Sequence, residues 1–113
     1  MSQVINLGLF NHRVDVMKRV SSGKTTRGED IYEWEPFATC YMQARGLTSR
    51  ESETYQQLWP NARTMFVSRY LTGVSTDMRL HDLSTGKMYD IKSAADPDGT
   101  FRYLEILGQE IQS

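Results

Sequence analysis

Short runs of alternating apolar residues, broken by turns rich in glycine and aspartate, predict a mainly β fold. The expected architecture is a small β-barrel or sandwich of about six strands, with one short α-helix and long loops. Two further observations support it. A capping signature at Thr48-Ser49-Arg50-Glu51 opens the one helical segment, and the 113 residues leave room for a single domain, residues 1–113.

The first strand spans residues 12–20, where Val14, Val16 and Val20 share one face and Arg13, Asp15 and Arg19 the other. Residues 21–30 (SSGKTTRGED) contain no apolar side chain and two glycines, and read as a long exposed loop. The second strand runs over residues 31–45. Within it Pro36, between Trp34 and Phe37, cannot donate to a ladder and predicts an edge or a bulge. Beyond that point Ala38, Cys40, Met42 and Ala44 share a face opposite Thr39, Tyr41 and Gln43.

The helix begins after Thr48, with Glu51 and Glu53 suited to the positive end of its dipole. Tyr55, Leu58 and Trp59 mark one stripe, and Pro60 stops a helix of about two to three turns. A third strand over residues 63–71 sets Met65, Val67 and Leu71 against Thr64, Phe66 and Tyr70. Residues 78–83 and 88–95 form a pair joined by the Ser84-Thr85-Gly86-Lys87 turn. Asp96-Pro97-Asp98-Gly99 then turns the chain into a last strand, residues 101–107.

Composition narrows the function classes. Thirteen basic residues against fourteen acidic give a net charge of −1, which lacks the basic excess expected of a protein that grips phosphates along nucleic acid. The lone Cys40 cannot form an internal disulfide, and His12 and His81 have no metal-ligand spacing. No metal and no cofactor is expected. The opening residues 1–10 are interrupted by polar groups, so no targeting segment is expected, and no apolar stretch is long enough for a bilayer.

Motifs that imitate chemistry have plainer explanations. Ser22-Gly23-Lys24-Thr25 resembles the end of a phosphate-binding loop, but Lys18 stands where the earlier glycine is required. Asp96 and Asp98 fit a turn better than a calcium loop. Acid–base work needs carboxylates in a cleft, whereas Glu51 and Glu53 already have a capping role and Glu33/Glu35 flank Trp34 on an expected strand surface, and no nucleophile elbow is present. No catalytic residues are assigned, and the chain is not expected to be an enzyme. Lys18, Arg19, Lys24 and Arg27 form the best local basic feature.

The order of these features resembles the phage head–tail joining proteins, the head-closure or stopper and head–tail adaptor group. The likeness rests on His12-Arg13-Val14-Asp15-Val16, then the stretch from Tyr32 to Ala44, then Ser49-Arg50-Glu51. It continues through Phe66-Val67-Ser68-Arg69-Tyr70, Gly86-Lys87-Met88-Tyr89-Asp90-Ile91, and Asp96-Pro97-Asp98-Gly99 before Arg102-Tyr103-Leu104-Glu105. Two departures stand out: the bulkier Cys40-Tyr41-Met42, and the particular sequence of residues 21–30.

The resemblance implies a β-barrel subunit that assembles with itself into a sixfold or twelvefold ring beneath the portal. Such a ring closes the DNA channel after packaging and joins head to tail. Its partners would be the portal or adaptor protein, the tail proteins and the packaged DNA passing through the channel, with no membrane. Its place would be the virion, after synthesis in the host cytoplasm. Residues 21–30 and 71–77 are the expected contact loops, mobile until assembly, with Lys24, Thr25, Thr26, Arg27, Thr72, Val74 and Ser75 as contact residues. Two rival readings are another neck or tail-completion component, and an oligonucleotide-binding barrel using Tyr41, Phe66 and Tyr70 as stacking platforms.

Overall fold

A computed structural model of the protein describes residues 10–112. The polar-interrupted opening, residues 1–9, lies outside them. Six strands occur in the order β1 (His12–Lys24), β2 (Asp30–Gly46), β3 (Thr64–Arg69), β4 (Arg79–Asp82), β5 (Lys87–Ala95) and β6 (Tyr103–Glu110). The helix α1 (Ser49–Tyr55) lies between β2 and β3. All neighbours are antiparallel, and the sheet closes on itself as β1-β2-β3-β6-β5-β4.

Alternation along each strand fills the barrel. Val14, Val16, Met42, Phe66, Leu80, Tyr89, Ile91, Leu104 and Ile106 form the interior cluster. Ala38, Cys40 and Ala44 pack against it, as their shared face predicts. These small side chains leave room for the aromatic pair Phe66–Tyr89, whose rings meet edge to face 4.8 Å apart. Gly108 is part of the same fit: a Cβ there would stand 3.1 Å from the Phe66 ring and 3.3 Å from Tyr89 Cβ.

Strand β3 is buried on both sides, a pattern that simple alternation does not reveal. Phe66 and Ser68 face inward, while Met65 and Val67 join Ala62 and Leu107 in an outer cluster under Leu47, Tyr55 and Trp59. The helix therefore covers a side of the barrel. Its capping box forms as predicted, with Glu51 N–H donating to Thr48 Oγ1 and Thr48 N–H donating to Glu51 Oε1. The regular helix stops at Tyr55, and Leu58 is 69% exposed, so of the predicted stripe only the half-buried Tyr55 and Trp59 pack against the barrel.

Several strand boundaries differ from the sequence expectation: β3 ends at Arg69, β6 runs on to Glu110, and two further differences have a visible cause. Residues 21–24 and 30 are paired strand, which shrinks the predicted loop to residues 25–29. Polar Ser, Gly and Lys give no apolar period, yet the ladder continues because Ser21, Gly23 and Lys24 pair with Tyr32, Ile31 and Asp30 around a bulge at Ser22. Thr25 closes the tip: its Oγ1 accepts from the Arg27 and Glu29 amides, and its own N–H donates to the Glu29 carbonyl. At the other end β6 starts at Tyr103, not Phe101. The Asp96 carboxylate accepts from the amides of Asp98, Gly99 and Phe101, and Phe101 has φ 58°, a left-handed conformation that no strand continues.

Candidate docking site: a two-stranded arm and its root

Only parts of β1 and β2 belong to the barrel. β4 pairs with Val14–Met17 of β1, and β3 pairs with Met42–Gly46 of β2. Among the described residues, 18–24 and 30–35 pair only with each other and project as an arm, giving extents of 55 × 29 × 28 Å. Where the arm leaves the barrel, Val16 pairs with Ala38 but Met17 pairs with Pro36, so Phe37 is an extra residue on β2. This is the bulge that Pro36 predicts.

The root of the arm is locked from two directions. Phe37 lies over Gly73, where a Cβ would come within 3.1 Å of the ring and φ is +89°. The Arg79 guanidinium stacks 4.3 Å from the centre of the Trp34 ring and bonds Asp90 at 3.1 Å. Further out, Lys18 reaches Glu35 at 3.5 Å, and Arg19 lies 4.3 Å over the Tyr32 ring. Ile31, Tyr32 and Phe37 remain 43%, 47% and 39% exposed.

The expected contact residues fall into two separate groups. Lys24 ends β1, Thr25 organises the tip, and Thr26 and Arg27 are exposed beside it. Thr72 and Ser75 are exposed in the segment near the root, roughly 20 Å away at the usual rise per strand residue. Val74 and Leu71 are half-buried against the interior cluster, so that segment also covers part of the barrel core. Ile31, Tyr32 and Phe37 were not among the residues singled out for contact. Their apolar character is legible, but their exposure follows from pairing on one side only, which needs the register.

A second polar assembly fixes the helix. Arg45 of β2 bonds both Glu51 oxygens, at 2.7 and 3.0 Å, and Glu105 of β6 at 3.1 Å. The bond from Arg45 holds Glu51 below the usual carboxylate range, whereas burial pushes Glu105 above it. Near the lower end, His12 Nδ1 lies 2.8 Å from the buried Asp82 carboxylate, which also accepts from the Ser84 amide at 3.0 Å. Burial raises the Cys40 thiol, with nearby Asp15 adding to the shift.

The motifs that imitate chemistry resolve into structure. Ser22, Gly23 and Lys24 lie in a strand with no helix after them, and Ser22 Oγ donates to the Ile31 carbonyl. Asp96 is occupied by three amides of its turn. Among the described residues no group of three His, Cys, Asp or Glu side chains is arranged to hold a metal. Among the same residues no helix is long and apolar enough to cross a membrane.

A closed six-stranded barrel with a covering helix and a projecting hairpin defines a small β-barrel scaffold with an arm. The chain belongs to the phage head completion protein family, which it matches over residues 5–111. Membership points to a structural role at the phage head–tail region and to a place in the virion. Protein SF1141 from Shigella flexneri 2a, known from a solution structure, shares the fold: TM-score 0.73 at 21% identity, covering 94% of this chain and 96% of that one. Comparison with curated proteins returned no match.

Proposed function

We propose that this protein is a structural subunit of the tailed-phage head–tail connector. Copies form a sixfold or twelvefold ring below the portal, close the DNA channel after packaging and join head to tail. The portal or adaptor binds above, tail proteins bind below, and packaged DNA passes through the ring. The protein is made in the host cytoplasm and acts without catalysis.

The observation that carries this reading is the arm. An isolated two-stranded hairpin is marginal in water, and residues 18–24 and 30–35 add no member to the buried core. They nonetheless hold Ile31 and Tyr32 out in solvent on a braced root. Such an arm is suited to being covered by a partner. The balanced charge fits the same role, because a strongly cationic wall would retain DNA that must later leave.

The oligonucleotide-binding alternative loses support at its platforms. Phe66 is fully buried inside the barrel, and Tyr70 is half-buried against Phe101, which leaves Tyr41 alone at 60% exposure. Electron microscopy of particles from a phage lacking this gene tests the proposal. Filled or leaking heads beside separate, complete tails are expected. Normally joined virions would overturn it.

A further inference from the structure

The arm separates its charges by strand. Residues 18–24 of β1 carry Lys18, Arg19 and Lys24 with no acidic residue. Residues 30–35 of β2 carry Asp30, Glu33 and Glu35 with no basic one. Among the described residues each strand also has one unpaired edge, because pairing with β4 reaches only to Met17 of β1 and pairing with β3 only to Met42 of β2. Charged side chains on an exposed edge usually discourage pairing with another chain. Here the two edges bear opposite signs, so the basic edge of one copy complements the acidic edge of the next.

We infer that the arms of neighbouring copies pair edge to edge, β1 of one against β2 of the next, in a continuous antiparallel sheet. The direction is right without any rearrangement. β1 and β2 run oppositely within one arm, so parallel arms set side by side place each β1 antiparallel to the next copy's β2. Like edges meeting across a two-fold axis would bring Lys18, Arg19 and Lys24 against their own kind, or Asp30, Glu33 and Glu35 against theirs. Charge therefore selects a head-to-tail contact, the type that generates a ring when the rotation between copies closes. Pairing would satisfy the free backbone groups of both edges and cover part of Ile31 and Tyr32. The Phe37 bulge, the Gly73 contact and the Arg79–Trp34 stack hold the arm for this encounter.

This inference rests on the connector reading and deepens it by naming the intersubunit contact. The test uses particles assembled in a host that supplies the chain to a phage lacking the gene. Two sets of variants in a Cys40→Ala background are supplied alone or together. One set carries a single cysteine on β1 (Lys18→Cys, Arg19→Cys or Val20→Cys), the other a single cysteine on β2 (Tyr32→Cys, Glu33→Cys or Glu35→Cys). After mild oxidation, mixed particles should show cross-linked pairs on the order of tenfold above either set alone, since only unlike edges approach disulfide distance. Cross-links within one set would overturn the head-to-tail arrangement. Joined particles that contain the chain but yield no cross-link would overturn arm pairing and leave the connector role standing. Normally joined particles that lack the chain would overturn both.

A charge exchange gives a second readout. Lys18→Glu, Arg19→Glu and Lys24→Glu together should reduce incorporation on the order of tenfold. Adding Asp30→Lys, Glu33→Lys and Glu35→Lys to the same chain should restore it, and failure to restore a folded chain would contradict the pairing.

Discussion

Removing Glu51 tests how the helix is held to the barrel. Its Oε1 accepts from Arg45 at 2.7 Å and from the Thr48 amide at 2.9 Å, while Oε2 accepts from Arg45 at 3.0 Å. The Arg45 and Glu51 side chains are 18% and 19% exposed. Solvent-exposed pairs contribute at most about 1 kcal/mol, and breaking a fully buried one costs about 3–5 kcal/mol. This part-buried, bidentate pair lies between, at about 1.5–2 kcal/mol. The capping contact adds about 0.5–1 kcal/mol. Glu51→Ala should therefore destabilise by about 2–3 kcal/mol, lowering Tm by about 8–12 °C for a domain of this size. Glu51→Gln retains the cap and should lose about 1–1.5 kcal/mol.

The assay is urea unfolding followed by tryptophan fluorescence, with Trp59 reporting from the cluster under the helix. A double-mutant cycle with Arg45→Met isolates the pair. The pH dependence supplies a sign. Because the folded state lowers the Glu51 pKa, its contribution is full above the ordinary value of 4.5 and is lost as pH falls through the folded value. Glu105, raised chiefly by burial, opposes this, since its folded form binds a proton more readily than its unfolded form. The advantage of wild type over Glu51→Gln should thus be largest at neutral pH and shrink below 4.5. A Glu51→Ala variant within about 0.5 kcal/mol of wild type would refute the reasoning.

Other perturbations reach the remaining parts of the fold. Gly108→Ala should cost about 1–3 kcal/mol by pressing on Phe66 and Tyr89, and Phe66→Leu in the same chain should recover part of that loss in the same unfolding assay. Cys40 should react with a thiol reagent far more slowly in the native chain than in denaturant, because burial raises its pKa and restricts access. Excising residues 23–27 should leave the melting transition nearly unchanged and abolish head–tail joining, measured as infectious titre. Unchanged titre would remove the tip from the contact surface.

The parts of the fold legible in the sequence are those encoded by local chemistry. Thr48 and Glu51 announce the helix start because both halves of the capping box are contiguous. Pro36 announces the bulge because its missing donor cannot be hidden in a ladder. The inward run of Ala38, Cys40, Met42 and Ala44 follows from period two alone. What escaped depends on register. Residues 21–24 are polar, so only their partners Tyr32, Ile31 and Asp30 reveal them as strand. The double burial of β3 depends on where α1 lies. Arg45 meets Glu105 across 60 positions of sequence, which no local pattern anticipates. The charge separation of the arm was present in the sequence throughout, but it becomes a surface only when pairing places the two limbs side by side.

A reconstruction of the neck of the intact phage particle tests the central claim most directly. It should show a ring of six or twelve copies below the portal, each fitting a six-stranded barrel, with arms in side-by-side contact. A neck whose density contains no such barrel, with the chain located elsewhere or absent from the particle, would contradict it.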